Sequence, residues 1–298
     1  MAIVDCTVQA DATGRELTQH GTYDFPVACY HDDLQEISIP WHWHEELELL
    51  IVHQGTSLVD TGSGPVELGE GCGCFINSGV LHTCLNAREN QPCRYHSLVF
   101  APSLVGAEST SVFWQKYILP LTGSGIGFQR LSPEIPWQRE ALQATESAWQ
   151  AVLREEEDYE LRVREMLSRV VLLLRKNLGA EQKTADAASR RSEERVKQML
   201  AFIHSAYQGP MTLEEIAASA SVSQSECLRC FKQVLHTTPV QYLKEYRLKQ
   251  ARGLLQGGGI TVTEAALACG FTELSYFSRA FLKQFGLRPG QVLRPEKS

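Results

Sequence analysis

The sequence predicts an α+β protein in which an N-terminal β-barrel is joined through helices to an all-α C-terminal domain. Residues 37–100 contain short apolar runs of strand length separated by glycine-containing turns. Residues 137–178 instead carry apolar residues at helical spacing. Residues 193–298 contain two helix pairs with the same layout, about fifty positions apart. The length of 298 residues suits more than one domain.

Charge is divided unevenly along the chain, whose formal net charge is −7. From residue 193 onward there are 13 Lys and Arg against 9 Asp and Glu, whereas the preceding part has 15 against 26. A basic C-terminal part suits a nucleic-acid partner, and an acidic N-terminal part suits a separate sensing domain.

The composition predicts a cytoplasmic protein without a membrane partner. The nine cysteines are an odd number scattered through the chain, which suits a reducing compartment better than a disulfide framework. The longest aliphatic run, residues 170–174, is too short to cross a bilayer, and no secretory signal is visible at the N-terminus.

The N-terminal half is predicted to be built from strands. A first strand is predicted at residues 23–27, and later strands at 47–55, 57–60, 74–76 and 95–100. Within residues 40–55, His42, His44 and Glu48 occupy even positions, so on one strand they would face the same side. His82 follows in a later segment. Three imidazoles and a carboxylate inside a barrel are suitable ligands for a divalent transition metal.

These residues resemble the two motifs of the cupin barrel over residues 37–100. The first motif is H-x-H-x-x-x-E, followed by Gly55. The second is represented by Gly71, Gly79, His82 and Asn86, with Asn77 where the family has proline. The resemblance implies a cupin-like sensing barrel over residues 1–110.

The resemblance allows two uses of His42, His44, Glu48 and His82. The main expectation is that they line a pocket for a polar effector, so that no cofactor is required. The subordinate expectation is that they hold a divalent transition metal. The alternative function is a metal-dependent cupin enzyme, an oxygenase or isomerase, carrying a DNA-binding tail.

The C-terminal helix pairs begin with capping sequences. Thr261-x-x-Glu264 caps one short helix, Gly270 ends it, and a second helix is predicted from about Thr272. Thr212-x-x-Glu215 caps the first helix of the earlier pair. A helix over about 240–255 joins the pairs. Residues fifty positions apart are identical at Arg229 and Arg279, Phe231 and Phe281, Pro239 and Pro289, and Gln241 and Gln291.

This duplicated helix-turn-helix resembles the DNA-binding domain of AraC/XylS transcription regulators, over roughly 193–294. The resemblance implies a transcription regulator, an activator or a repressor, that binds promoter or operator DNA under control of a small effector such as a sugar, and it implies no enzymatic activity. It further implies a homodimer formed through a helical region at 111–178, a linker at 179–192, a DNA-binding domain at 193–298, and RNA polymerase as a further partner. An architectural DNA binder without an effector is a third interpretation.

The resemblance also assigns DNA contacts. Base-facing positions are Ser225, Leu228, Arg229, Leu274, Ser275, Tyr276 and Arg279, and phosphate-contacting positions are Ser223, Lys232 and Thr272. Arg229 and Arg279 are the strongest candidates because a guanidinium can donate two hydrogen bonds to guanine. Replacing either by alanine is expected to weaken specific binding by about 1–3 kcal/mol. The alternative for each arginine is a solvated surface charge.

Overall fold

A computed structural model of the chain describes residues 3–4, 8–11, 14–37, 39–88, 91–178 and 187–292. The chain divides into two compact units, Met1–Arg191 and Ser192–Ser298. In the described ranges it forms ten β-strands and eleven α-helices. None of these helices combines the length and hydropathy needed to span a bilayer.

The strands of the first unit form two sheets. Their bounds are β1 Ile3–Val4, β2 Val27–Asp33, β3 Ile39–His42, β4 Leu47–Gln54, β5 Thr56–Asp60, β6 Val66–Gly69, β7 Gly73–Ile76, β8 His82–Asn86, β9 Arg94–Phe100 and β10 Phe128–Leu131. The larger sheet has the order β1-β2-β9-β4-β7-β10 and the smaller β3-β8-β5-β6. β1 pairs parallel with β2, and the other described pairs are antiparallel.

The predicted α+β class and the strands from residue 47 to residue 100 are confirmed, but two boundaries are wrong. The strand predicted at residues 23–27 is β2 and begins only at Val27, because the Thr22 hydroxyl accepts the Phe25 N–H at 3.0 Å and folds residues 22–25 into a turn. The sheet also extends beyond the predicted barrel limit at residue 110. β10 pairs antiparallel with β7, and a strand of four residues at a sheet edge gives little periodicity to detect.

Alternation along the strands separates two cores. Apolar residues on one face of the six-stranded sheet pack against the helices α3, Pro136–Arg154, and α4, Tyr159–Leu178. Residues on the other face, such as Leu50 and Tyr95, pack with residues of the four-stranded sheet to form the barrel interior. The helical prediction for this region is confirmed in outline, except that Leu161 is 67% exposed. It lies on the side of α4 away from Val163 and Leu167, which are buried.

The remaining elements of the first unit are short and connect β9 to the α3–α4 hairpin. They are α1 Ser103–Gly106, a π-helical turn Trp114–Ile118, and α2 Leu119–Thr122.

Asn77, which stands where the cupin motif has proline, is buried beside the segment that follows α2. Its amide donates hydrogen bonds to the carbonyls of Leu121 at 2.9 Å and Ile126 at 2.8 Å, so this substitution anchors the loop before β10.

The second unit is helical. Its elements are α5 Ala187–Ala206, which belongs to this unit from Ser192 onward, α6 Leu213–Ser219, α7 Gln224–Val234, α8 Pro239–Gly257, α9 Val262–Ala268, α10 Leu274–Phe285 and α11 Pro289–Val292. The predicted linker at 179–192 is too long, because residues 187–192 belong to α5; residues 179–186 lie outside the described residues. Alanine and arginine favour helix, and these residues continue the turns that bury Val196 and Met199.

Candidate functional site

The two helix pairs begin with the same capping interaction. The Thr212 hydroxyl accepts the Glu215 N–H at 3.2 Å, and Glu215 accepts the Thr212 N–H at 2.8 Å. Thr261 and Glu264 repeat this arrangement with the same two distances. The threonine N–H lowers the pKa of each glutamate, because it favours the charged carboxylate. Both α6 and α9 therefore start at defined residues.

The turns inside the pairs differ. Four residues separate α6 from α7, whereas five separate α9 from α10. The first turn holds Ser221 at a φ of 54° and the second holds Gly270 at 77°. A Cβ on Gly270 would lie 2.8 Å from the carbonyl oxygens of Tyr207 and Gln208, so only glycine fits there. Arg247 also donates to the Tyr207 carbonyl at 2.7 Å and thereby ties α8 to the end of α5.

The predicted DNA-contacting residues are all exposed. In the first pair these are Ser223, Ser225, Leu228, Arg229 and Lys232, and in the second Thr272, Leu274, Ser275, Tyr276 and Arg279. The opposite sides of α7 and α10 are buried through Cys227, Phe231, Phe277 and Phe281. Ser223 and Thr272 precede α7 and α10, and the other predicted residues form one solvent-facing side of each second helix.

Arg229 is held by neighbours in its own unit. Its guanidinium donates to both carboxylate oxygens of Glu226, at 2.7 and 2.8 Å, to Gln233 at 2.7 Å and to Ser192 at 3.2 Å. Glu226 also pairs with Arg195. The hydrogen bond from Arg229, with the charges of both arginines, lowers the pKa of Glu226 to about 2. To donate to a base, Arg229 would have to exchange these partners.

Arg279 has a different environment. Its Nε lies 3.3 Å from the carbonyl oxygen of Ser275, one turn earlier in α10. The position fifty residues after Glu226 is Tyr276, which carries no negative charge. Of the two arginines predicted to read bases, Arg279 is therefore the one whose guanidinium forms no described ion pair.

The barrel residues converge, but not by lying on one strand. His42 ends β3 in the four-stranded sheet and His82 begins β8 beside it, whereas Glu48 lies in β4 of the six-stranded sheet. His44 lies in the connection between β3 and β4. The prediction of a common strand face was therefore wrong. The two sheets bring all four side chains together in the interior, each at most 7% exposed.

The distances define a compact cluster. Oε2 of Glu48 lies 3.1 Å from Nε2 of His82 and 3.4 Å from Nε2 of His44, while its Oε1 accepts a hydrogen bond from Ser97 at 2.7 Å. The ring centroids of His42 and His82 are 4.2 Å apart. One nitrogen from each of the three histidines lies within 4.8 Å of the other two, which is a suitable arrangement for a metal ion.

The orientation of each imidazole is set by the backbone. Nδ1 lies 2.8 Å from the Pro40 carbonyl in His42, 2.8 Å from the Val80 carbonyl in His82, and 3.2 Å from the Glu46 carbonyl in His44. A carbonyl requires a proton on Nδ1, which leaves Nε2 with its lone pair when the ring is neutral. Imidazoles that bind metals are held in this way.

Electrostatics divide the cluster into neutral and charged groups. Burial, and then the neighbouring histidines, lower the pKa of His42 well below its usual range. Burial opposes ionisation of Glu48, but its hydrogen bonds with His44 and His82 outweigh it and lower the pKa of this carboxyl. Burial also disfavours protonation of His82, yet the contact with Glu48 raises its pKa. A carboxylate is therefore present among imidazoles in a buried site.

Two further residues reach this cluster and were not predicted. Oε2 of Glu16 lies 3.4 Å from Nε2 of His20 and 3.7 Å from Nε2 of His42. His20 in turn lies 2.7 Å from the Tyr30 hydroxyl through Nδ1. Glu16 and His20 lie between β1 and β2, outside the named strands, where no periodicity indicates which side chains point inward.

The space between these side chains is small. The cavity lined by Glu16, His20, His42, His44, Glu48 and His82 has a volume of about 20 Å³. This is close to the minimum that holds one water molecule. A single ion fits such a cavity, whereas a sugar-sized molecule requires the barrel to open.

The chain is similar to known transcription regulators. A family model for an AraC-like ligand binding domain matches residues 24–200, and one for a helix-turn-helix domain matches residues 216–295. The HTH-type transcriptional regulator YdeC of Bacillus subtilis (strain 168) is 33% identical over 285 residues, covering 94% of this chain and 95% of that protein. The HTH-type transcriptional activator RhaS of Klebsiella pneumoniae (strain 342) is 29% identical over 266 residues, covering 87% and 89%.

Part of the chain is also similar to a solved structure. A transcriptional regulator of Chromobacterium violaceum with an AraC-type DNA-binding domain is 30% identical and covers 34% of this chain and 91% of that one, with a TM-score of 0.33.

Proposed function

Because the chain belongs to the AraC-like family of helix-turn-helix transcription regulators, we propose that α7 and α10 are its two DNA-recognition helices. The family makes the protein a DNA-binding regulator with a ligand-binding domain. The assignment of the helices is supported by their exposed sides, which carry the predicted contacts, Arg229 and Arg279 among them. The helices would enter successive major grooves, about 34 Å apart on one face of the DNA.

Footprinting on an operator selected with the full chain tests this assignment. Replacing Tyr276 or Arg279 by alanine is expected to remove protection at one half of the site. Replacing Leu228 is expected to affect the other half. Undiminished protection with all three replaced would contradict the proposal. Gln256→Ala, at an exposed position near the end of α8, is a control that should leave the footprint unchanged.

We propose that the barrel interior holds a divalent transition metal through His42, His44, Glu48 and His82. Support comes from the three orienting carbonyls and from a cavity that accommodates an ion. Such an ion would attract anionic or hydroxyl oxygens of an effector. Glu16 is a further carboxylate close enough to His42 to take part in coordination after a small movement.

Metal content and thermal unfolding of the full chain test the barrel proposal. Removing the interior ion by chelation is expected to lower the midpoint, and His44→Ala is expected to remove that ion together with the part of the chelation effect that it causes. A midpoint that rises with a metabolite but not with metal would instead favour the effector pocket without metal.

We further propose that the barrel senses an effector and does not catalyse a reaction. Turnover of a candidate substrate by metal-loaded protein would contradict this proposal.

A homodimer formed through the helical region is proposed on the basis of exposed apolar side chains. Phe113, Tyr117, Leu161 and Leu172 line a groove of about 420 Å³ between the π-helical turn and α4. A partner copy would cover this apolar surface. Leu161→Glu is therefore expected to shift the sedimentation coefficient toward that of a monomer. An unchanged sedimentation coefficient would place the interface elsewhere.

Activation through RNA polymerase and a cytoplasmic location remain predictions.

A further inference from the structure

A second cluster of histidines lies outside the barrel, on the face of the six-stranded sheet that packs against α3. It comprises His53 in β4, His96 in β9 and Glu146 in α3. Side chains alternate across a strand, so His96 points away from the interior to which its neighbour Ser97 contributes. The register between β4 and β9 shifts between Val52 and Gln54, at the position of His53. The proposed DNA-binding and sensing functions use none of these three residues.

The three side chains meet at one carboxylate oxygen. Oε2 of Glu146 lies 3.1 Å from Nδ1 of His96 and 3.3 Å from Nε2 of His53. All three ligand atoms lie within 4.8 Å of one another. A tetrahedral ion with bonds of about 2.0–2.2 Å would separate its ligands by about 3.3–3.6 Å. The two measured distances, 3.1 and 3.3 Å, are therefore close to the separation expected between ligand atoms around a bound ion.

Neighbouring residues hold the ligands in place. The ring of His96 stacks on Trp149 with centroids 3.6 Å apart and planes inclined by 5°. Gln150 donates to Oε1 of Glu146 at 2.9 Å, which leaves Oε2 toward the histidines. Metal sites depend on such outer contacts to orient their ligands. The side chains of His53 and Glu146 are 37% and 31% exposed, so water can reach the cluster.

We propose that His53, His96 and Glu146 form a second divalent-metal site, of the zinc or nickel class, on the outer face of the barrel. Imidazole is a preferred ligand of these metals, and solvent completes the coordination. The ion would join two strands of the sheet to α3. Its occupancy would therefore stabilise the attachment of the α3–α4 hairpin to the barrel, independently of the barrel interior.

The stacking of Trp149 on His96 provides a local signal. Bound Ni²⁺ is expected to quench Trp149 fluorescence in the full chain, and Trp149→Phe identifies that component among the five tryptophans. The double variant His53→Ala and Glu146→Gln is expected to weaken half-saturation at least about tenfold. Equilibrium dialysis with Ni²⁺ should show one equivalent fewer bound by this variant. Circular dichroism verifies its fold, and Glu146→Gln alone serves if the double variant unfolds.

Two control variants make the assignment specific. His44→Ala removes a ligand of the barrel interior and should leave the Trp149 signal unchanged. His31→Ala removes an exposed imidazole whose ring centroid is 5.0 Å from that of His96, and it should have less than a twofold effect. Nickel binding with the same affinity and stoichiometry in the double variant would overturn the proposal. Loss of the Trp149 signal in His44→Ala would overturn it too, by assigning the ion to the interior.

Discussion

The two helix-turn-helix pairs share their layout but not the environment of their corresponding arginines. Arg229 is bonded to Glu226, Gln233 and Ser192, whereas Arg279 contacts the carbonyl of Ser275. One substitution accounts for much of the difference, because the position of Glu226 is taken by Tyr276 in the second pair. The comparison indicates that a repeat conserves the positions of side chains on a helix while the surrounding residues change what those side chains are available to do.

The turns inside the two pairs also occupy corresponding positions but differ in their surroundings. The first pair tolerates Ser221 at positive φ, whereas the second has a longer turn in which a Cβ on Gly270 would clash with two backbone carbonyls. We infer that the second pair depends more strongly on its turn residue, while the first depends on its ion pairs. The predictions below test this difference between the pairs.

The largest expected effect is that of Gly270→Ala. The new Cβ would clash with backbone and impose positive φ on alanine, so we expect the free energy of unfolding to fall by at least about 2 kcal/mol. Chemical denaturation of the full chain, followed by circular dichroism, measures it. Ser221→Gly is the matched control and should change stability by no more than about 1 kcal/mol. Equal losses for both variants would contradict the comparison.

The next effect concerns DNA affinity. Arg279→Ala is expected to weaken specific binding by about 1–3 kcal/mol, because its guanidinium is available to bases. Arg229→Ala is expected to cost less than Arg279→Ala, since in the wild type DNA must compete with Glu226 for Arg229. Fluorescence anisotropy at fixed salt measures both. Glu226→Gln sharpens the test, because it should strengthen binding in the wild type and have no such effect in the Arg229→Ala background.

Helix capping should show the similarity of the pairs. Thr212→Ala and Thr261→Ala each remove one hydroxyl that accepts a backbone N–H, and each is expected to cost about 1 kcal/mol of stability. Thermal unfolding under identical conditions compares them. The corresponding serine variants retain the hydroxyl and should recover most of the loss. A cap that could be removed without cost in one pair would show that tertiary packing alone sets that helix start.

The smallest effect is a dependence of stability on pH. The pKa of Glu226 is lowered in the folded state, to about 2, so its pairing with Arg229 stabilises the fold above the unfolded-state pKa of about 4.3. This contribution declines as the pH falls from about 5 toward 2. The stability difference between wild type and Glu226→Gln should therefore be constant from pH 6 to 8 and shrink below pH 5. A difference that grew on acidification would contradict the assigned pairing.

The outcome at the barrel shows why sequence reasoning found only part of the site. His42, His44 and Glu48 were predicted from their spacing, and His82 was joined to them through the resemblance to the cupin motifs; all four do converge. Their supposed common strand does not exist, because the chain changes sheets between β3 and β4. Glu16 was missed because nothing in an irregular segment indicates which side chain points inward.

The sequence by itself determined the division into a barrel part and a duplicated helical part, the capping residues, and the identity of four clustered polar side chains. These features follow from local periodicity and short spacings, except that His82 was joined to the cluster through the resemblance to the cupin motifs. Only the tertiary structure decided that Arg229 is engaged, that Glu16 reaches the interior, and that His53, His96 and Glu146 meet outside it. The physical reason is that such contacts join residues that are distant in the chain, as His96 and Glu146 are, so their proximity depends on how the sheets and helices pack.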